Sequence, residues 1–461
     1  MPVSPARAAA FDILLRVERD QAYASELLNS ERTAELAPAD RALCMEIVMG
    51  VLRWRIRVDV GLGEVVSQAL TKLDREVLTA LRMGAYQIGF LERVPARAAV
   101  NESVELVKRA RKRSAAPLVN AALRKLAAHP ELLQPVLPPG AKTVLDLSQL
   151  YSHPLWLVAR WAERLGIEAA EKICRYNQQP GGMALRLRDA KAAEELRRAG
   201  VELAPGALLA SARRLKADAR QTAVVLDLVR RRLISIQDEA SQLVGLLVGE
   251  GTRILDCCAA PGGKTAILAE RNPKALIVAA EIHPHRARTM KRLLGVTAPA
   301  VAQGGIAGTP IVWPHIVVAD AERLPFATRF DRVLVDVPCS GTGTLARNPE
   351  IKWRLGAADL ACLQQRQSAI LRAAMQALAP GGRLVYSTCS LEPEENAAVV
   401  EEALRGGGVR LRPCGEELER LSAAGELAWE DLGSLVDGPF LRTVPGVHPC
   451  DGFFAAIFAT A

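Results

Sequence analysis

Apolar positions recur at helical spacing through roughly the first 135 residues. Phe11, Leu14 and Leu15 follow Ala8, and Leu78, Leu81, Ala85 and Ile88 repeat the pattern. Leu43, Ile47 and Val51 recur every four residues behind Asp40, which reads as a helix cap. Alternation of period two is absent, which predicts an all-helical domain over residues 1–140. The breaker cluster Pro135-Val136-Leu137-Pro138-Pro139-Gly140 predicts a linker. Beyond it, Trp156 to Tyr176 reads as helix, while Met183, Leu185 and Leu187 alternate as a strand does. A short helix at Ala192–Arg198 and an extended piece at Val201 and Leu203 complete a small α+β module over residues 146–235.

From Ile236 the texture becomes a β–α alternation. Short apolar strands are expected at Arg253–Asp256, Ala275–Glu281, His315–Ala319, Arg332–Asp336 and Arg383–Tyr386. Helices are expected over Asp238–Val248, Lys264–Arg271 and Leu360–Leu378. This order predicts an α/β domain over residues 236–461, a mostly parallel sheet with helices on both faces and its ligand at the carboxyl ends of the strands. The Gly-, Ala- and Pro-rich stretch Gly295–Trp313 predicts a long surface loop, and no internal repeat is present.

Composition narrows the class. Half of the 461 residues are apolar and 24% are charged, enough for large packed cores. No apolar run approaches the ~18 residues of a spanning helix, and Met1–Arg16 has no continuous apolar stretch, so neither a membrane span nor a signal peptide is expected. Nine scattered cysteines without that signal read as reduced thiols of a cytoplasmic protein. With no C-x-x-C pair and no His–Cys cluster, no metal is expected. The net charge is +8, and its location matters more than its size. Residues 1–145 hold 21 basic and 16 acidic side chains, residues 146–235 hold 16 and 10, and residues 236–461 hold 22 and 25. The basic excess sits in the two N-terminal modules, including the run Lys108–Arg113, which reads as either a solvated helix end or a phosphate contact.

Ile254 to Thr265 reads as strand, small-residue turn and helix start. Gly262 and Gly263 let a ligand approach the backbone near free N–H groups of the helix. Gly263-Lys264-Thr265 matches the end of a phosphate-binding P-loop, but Cys258 stands where that motif needs glycine, and no G-x-G-x-x-G is present. Glu281 closes the second strand, where a carboxylate can accept both ribose hydroxyls, and Asp320 follows the third, where it can face an adenine amino group. These features suggest an adenosine-containing cofactor without a polyphosphate. S-adenosylmethionine fits, since Asp256 and Asp336 suit its cationic sulfonium.

Two cysteines lie at two further strand ends, in Asp336-Val337-Pro338-Cys339-Ser340-Gly341-Thr342-Gly343 and in Thr388-Cys389-Ser390-Leu391-Glu392-Pro393-Glu394-Glu395-Asn396. Cys44, Cys174 and Cys362 read as structural. A methyl-transfer enzyme needs a thiol only for a poor nucleophile such as carbon 5 of a pyrimidine. Thiolate addition at carbon 6 makes carbon 5 nucleophilic, and loss of its proton later expels the thiol. Asp336 suits the cytosine amino group and ring nitrogen, and Lys264 supplies compensating positive charge. Spacing alone does not decide which cysteine adds and which assists release.

These motifs resemble the RNA cytosine-5 methyltransferases of the RsmB (Fmu/Sun) type, along essentially the whole chain. Cys258–Thr265 matches the family's cofactor loop, Asp336–Gly343 its proline–cysteine motif, and Thr388-Cys389-Ser390 with Pro393–Asn396 its second cysteine motif. Ile236–Ser241 and Asp451-Gly452-Phe453-Phe454 resemble its flanking signatures. The resemblance implies a NusB-like helical RNA-binding domain, an RRM-like middle module and a Rossmann-like methyltransferase domain. It further implies Cys389 as nucleophile and Cys339 as the group assisting release. Cys258, Ala259, Ala260, Pro261, Gly262, Gly263, Lys264, Glu281, Arg286, Asp320 and Asp336 are then the residues lining the cofactor site. The implied substrate is 16S rRNA before full subunit assembly, met by a monomer. Two other readings are the same chemistry on tRNA and a non-catalytic NusB-like RNA-binding factor. Glu281 stands where many relatives have Asp, Cys257 is an added thiol with no assigned role, and the middle module shows no aromatic stacking signature.

Overall fold

The computed structural model describes residues 3–134, 143–188, 190–215, 219–295 and 313–460. The expected linker at 135–140 and most of the expected loop at 295–313 lie outside the described residues. The chain forms two compact units: Met1–Pro180 with Leu345–Leu355, and Gly181–Thr344 with Gly356–Ala461.

The first unit is helical. Its long helices Pro5–Asp20, Pro38–Arg53, Arg75–Phe90, Ala96–Arg109 and Ala116–Ala128 turn their apolar stripes into one core that includes Phe11, Ile47, Leu81 and Leu123. Asp40 is not the cap expected of it. The helix starts two residues earlier at Pro38, whose missing N–H suits a first helical turn, and Asp40 sits within that turn. The helix read from Trp156 to Tyr176 is two helices, Leu155–Leu165 and Ile167–Asn177, divided at Gly166 by its φ of +84°. In the basic run, Lys108 pairs with Glu105, Arg109 with Asp12 and Lys112 with Asp74.

Residues 345–355 belong to this unit although they follow the Cys339 loop in sequence. Lys352 is buried and donates to the carbonyls of Arg53 (2.9 Å) and Ser152 (2.8 Å). Trp353 Nε1 donates to Leu52 O at 2.6 Å. Helix-end carbonyls at Leu52 and Arg53 thus receive the donors that a helix C-terminus lacks.

The second unit holds two sheets. The smaller contains β1 (Met183–Leu187), β2 (Leu203–Pro205), β3 (Ala212–Leu215) and β4 (Ile234–Ile236), all antiparallel in the order β2-β3-β1-β4, with helices Ala190–Arg198 and Ala219–Arg230. Among the described residues the larger has nine strands. Its parallel part is β7 (His315–Val318), β6 (Leu276–Glu281), β5 (Arg253–Asp256), β8 (Phe330–Asp336) and β9 (Leu378–Thr388), side by side. The expectation of a mostly parallel sheet meets an antiparallel extension: β13 (Phe454–Thr460) pairs with β9, and β10 (Val409–Arg412), β11 (Val436–Asp437) and β12 (Phe440–Arg442) continue from it. Helices Ala397–Arg405 and Cys414–Ala423 flank β10, and the alternation ceases only after the second, where β11, β12 and β13 follow one another with no helix between them. Buried apolar residues cover both faces, Leu243, Ile254, Leu334 and Ile457 in one core and Leu255, Val333, Leu384 and Phe458 in the other.

Candidate active site

The carboxyl ends of β5, β6, β8 and β9 frame one cavity of about 240 Å³. The register of β8 on β9, with Asp336 opposite Ser387, brings the two cysteine loops together although they are 50 residues apart. Cys339 Sγ and Cys389 Sγ lie 3.3 Å from each other, and both line the cavity. The shared hydrogen bond with Cys389, and after it burial, push the Cys339 thiol well above its ordinary pKa.

A buried carboxylate, Glu395, ties these loops. It accepts from Ser340 N (2.7 Å), Ser340 Oγ (2.5 Å), Ser390 Oγ (2.5 Å) and Gln367 Nε2 (2.9 Å). Burial raises its pKa against those donors. Gly343 N donates to Cys389 O at 2.9 Å, and a Cβ on Gly343 would stand 2.1 Å from the Gly452 carbonyl oxygen. The glycine in the proline–cysteine motif is therefore required by a backbone-to-backbone approach.

Asp336 is held from both sides, by Lys264 Nζ at 2.7 Å and by Ser387 Oγ at 2.8 Å. Lys264 also lies 5.0 Å from the Phe453 ring centre. Its ammonium neutralises Asp336 rather than reaching for a thiol. Behind it, Asp256 is fully buried and accepts from Thr265 Oγ1 at 2.7 Å. Burial, aided by the negative charge of Asp336, pushes its carboxyl up to about 7.

Of the expected cofactor loop, Cys258 and Ala260 line the cavity, whereas Ala259, Pro261, Gly262, Gly263 and Lys264 do not. Gly262 has φ +106° just before the helix Gly263–Arg271, a conformation that favours glycine. Glu281, Arg286, Asp320 and Asp336 all line the cavity. Glu281 is buried and accepts from His283 N at 2.9 Å, with Arg286 3.6 Å away. Asp320 accepts from Glu322 N at 3.0 Å. Cys257, which also borders the cavity, belongs to the apolar core, and burial raises its pKa. The sequence reading missed Ile282, His283, Arg366 and Ile370 as lining residues. The first two follow Glu281 directly; the others stand one helical turn apart on Asp359–Gln376, where no local motif marks them.

Fold and site together define a Rossmann-like methyltransferase class of domain carrying an added pair of thiols. Three family models match: 16S rRNA methyltransferase RsmB/F over residues 244–459, the NusB family over 4–128, and an RsmF/B-like ferredoxin-like domain over 153–220. A Bacillus subtilis protein named probable ribosomal RNA small subunit methyltransferase B is 33% identical, covering 87% of this chain and 88% of the relative. The ribosomal RNA small subunit methyltransferase B of Vibrio cholerae is 32% identical over 92% and 91%. The chain belongs to the RsmB/F methyltransferase family. Among solved structures, PH0851 matches with TM-score 0.75 at 23% identity over 99% of both chains. A methyltransferase homolog from Pyrococcus horikoshii matches with TM-score 0.54 at 24% identity over 70% of this chain and 100% of its own. At such identities these structures establish the fold.

Proposed function

We propose that this protein transfers a methyl group from S-adenosylmethionine to carbon 5 of a cytosine in 16S rRNA through a covalent cysteine–cytosine intermediate. The observation that carries the reading is the pair of sulfurs 3.3 Å apart at the ends of β8 and β9, beside a cavity walled by carboxylates. Cys389 is the nucleophile. The match of Thr388-Cys389-Ser390 to the family's second cysteine motif supports this role, and Cys339, 3.3 Å away, lies close enough to assist release. Cys389, having lost its proton, bonds to carbon 6 as the 5,6 double bond opens onto carbon 5; carbon 5 takes the methyl group as the methyl–sulfonium bond breaks. Loss of the carbon 5 proton then restores the double bond and expels Cys389 with help from Cys339. Asp336, fixed by Lys264 and Ser387, holds the cytosine amino group and ring nitrogen.

S-adenosylmethionine supplies the electrophilic methyl group. The residues present fit it: Glu281, buried at the cavity wall, suits ribose hydroxyls, and Asp320 suits an adenine amino group. The turn Cys258–Gly263, with Gly262 in a left-handed conformation, lets ligand atoms approach the backbone. Three modules divide the work. Residues 1–140 and 146–235, which carry the basic excess, hold RNA, and residues 236–461 perform the chemistry. Relatives named for small-subunit rRNA support 16S rRNA over tRNA. The RNA is met before full subunit assembly. The enzyme acts in the cytoplasm as a monomer.

Incubation with cofactor and 16S rRNA fragments carrying 5-fluorocytosine tests the chemistry. Wild type should form a covalent adduct and Cys389→Ala should not, while Cys339→Ala should accumulate an adduct even on ordinary cytosine RNA. A normal adduct from Cys389→Ala would overturn the nucleophile assignment.

A further inference from the structure

A second cavity lies at the other end of the large sheet, away from the cysteines. It encloses about 230 Å³ and is lined by four arginines, Arg271, Arg332, Arg383 and Arg420, against two glutamates, Glu250 and Glu417. Arg332 is the third residue of β8, so it stands about 13 Å along the strand from Asp336.

The ion pairs do not use up the cationic groups. Glu417 binds Arg420 at 2.6 Å on Oε1 and Arg383 at 3.1 Å on Oε2. Arg271 pairs with Glu426 at 2.7 Å. Arg332 has no carboxylate partner among the described residues. Its Nη1 donates to the Asp331 carbonyl at 2.7 Å, and its Nε is buried with no hydrogen-bond partner among the described residues. The carboxylate next to it in sequence, Asp331, is taken by Thr252 N, Thr252 Oγ1 and Arg253 N at 2.6–3.3 Å.

The geometry around Gly249 shows where these groups converge. A Cβ at this position, which has φ +76°, would stand 3.2 Å from Arg383 Nη1 and 3.9 Å from Arg332 Nε. Two guanidiniums thus meet over backbone that carries no side chain. Burial, and after it the like charge of Arg383, lower the Arg332 pKa, against the partly compensating charges of Asp331 and Glu417. An oxyanion with several acceptor atoms would face the outer guanidinium N–H groups of Arg332 and Arg383, the latter already serving Leu247 O at 3.1 Å and Glu417 through Nη1. Guanidinium forks match phosphate in this way.

We propose that this cavity binds a phosphate group. The source is either a backbone phosphate of RNA or free phosphate, and the RNA arm rests on RNA being the substrate.

The test uses the full chain. Its thermal unfolding is followed in rising inorganic phosphate and in sodium chloride of matched ionic strength. Phosphate should raise the wild-type midpoint beyond chloride and saturate, as binding to the folded state requires. Arg332→Gln should abolish that rise, and Glu250→Gln, which removes a lining negative charge, should tighten phosphate several-fold. No rise in wild type, or an equal rise in Arg332→Gln, overturns the site. If Arg332→Gln does not fold, an unchanged phosphate affinity in Glu250→Gln overturns it. The salt dependence of binding to a 16S rRNA fragment then separates the sources. A log–log slope reduced by about 1 in Arg332→Gln assigns the site to an RNA phosphate. An unchanged slope, with the inorganic phosphate effect lost, assigns it to the free anion. Adduct formation on 5-fluorocytosine RNA reports the methyl-transfer chemistry separately, so failure of one reading leaves the other measurable.

Discussion

Asp256 makes the stability of the catalytic sheet depend on pH in a direction opposite to ordinary acid denaturation. Its folded carboxyl is raised to about 7 from the ordinary 3.8, burial being the main cause. A group whose folded pKa is raised contributes stability that is full below the unfolded value and is lost as pH rises through the folded one. The window therefore runs from about pH 4 to about pH 7. Three pKa units at about 1.4 kcal/mol each give a loss of about 4 kcal/mol across it, an order-of-magnitude figure. Asp256→Asn removes the titration while keeping the size of the side chain and an acceptor for Thr265 Oγ1. Wild type and variant are compared by urea unfolding between pH 5 and pH 8.5, with hydrogen exchange of β5 and β8 as the local readout. The difference, wild type minus Asn, should fall by about 2 kcal/mol between pH 5 and pH 7, and by a few tenths more before it levels off near pH 8. A difference that stays flat through pH 5–7, or that rises, refutes the reasoning.

Glu395→Ala removes the acceptor of four hydrogen bonds and leaves Ser340 N buried without a partner, at a cost of about 3 kcal/mol. Methyl transfer under single-turnover conditions should fall by about 100-fold, because the cysteine loops lose their register, while calorimetric cofactor affinity stays unchanged. Glu395→Gln should recover most of both losses. Gly343→Ala places a Cβ 2.1 Å from a backbone oxygen that cannot move away cheaply, so it should destabilise by about 1–3 kcal/mol and abolish adduct formation. Equal activity of Gly343→Ala and wild type would show that the loop shifts freely.

Where local pattern and tertiary structure agree, the sequence was readable. Strands β5, β6 and β8 are apolar runs closed by Asp256, Glu281 and Asp336, and the turn after β5 declares itself through its glycines. The helices around Leu43–Val51 and Leu78–Ile88 follow from one apolar stripe each. The adjacency of Cys339 and Cys389 was not readable as a distance, since it depends on β8 and β9 being neighbours in a fixed register. Glu395 looked like one acid in a run of three; its role depends on Ser340, 55 residues earlier. Strand β13 escaped because Phe454–Thr460 is a buried apolar run with neither period two nor a following helix, and β10, β11 and β12, at 4, 2 and 3 residues, are too short to show a period. Arg366 and Ile370 enter the cavity wall from a helix whose spacing is that of any amphipathic helix.

The placement of residues 345–355 has a consequence for synthesis on the ribosome. The helical unit is discontinuous: Lys352, which fills the space between the Arg53 and Ser152 carbonyls, is encoded far downstream of Pro180. At roughly 5–20 residues per second, the about 175 residues between Pro180 and Leu355 take on the order of 9–35 s to emerge. During that interval Leu52 O lacks its Trp353 donor, and Arg53 O has Gln178 Nε2 but not Lys352. The second unit's sheet through β8 is already outside before the first unit can close. Completion of the first unit therefore waits on residues 345–355, and a fragment ending at Pro180 lacks the Lys352 and Trp353 contacts.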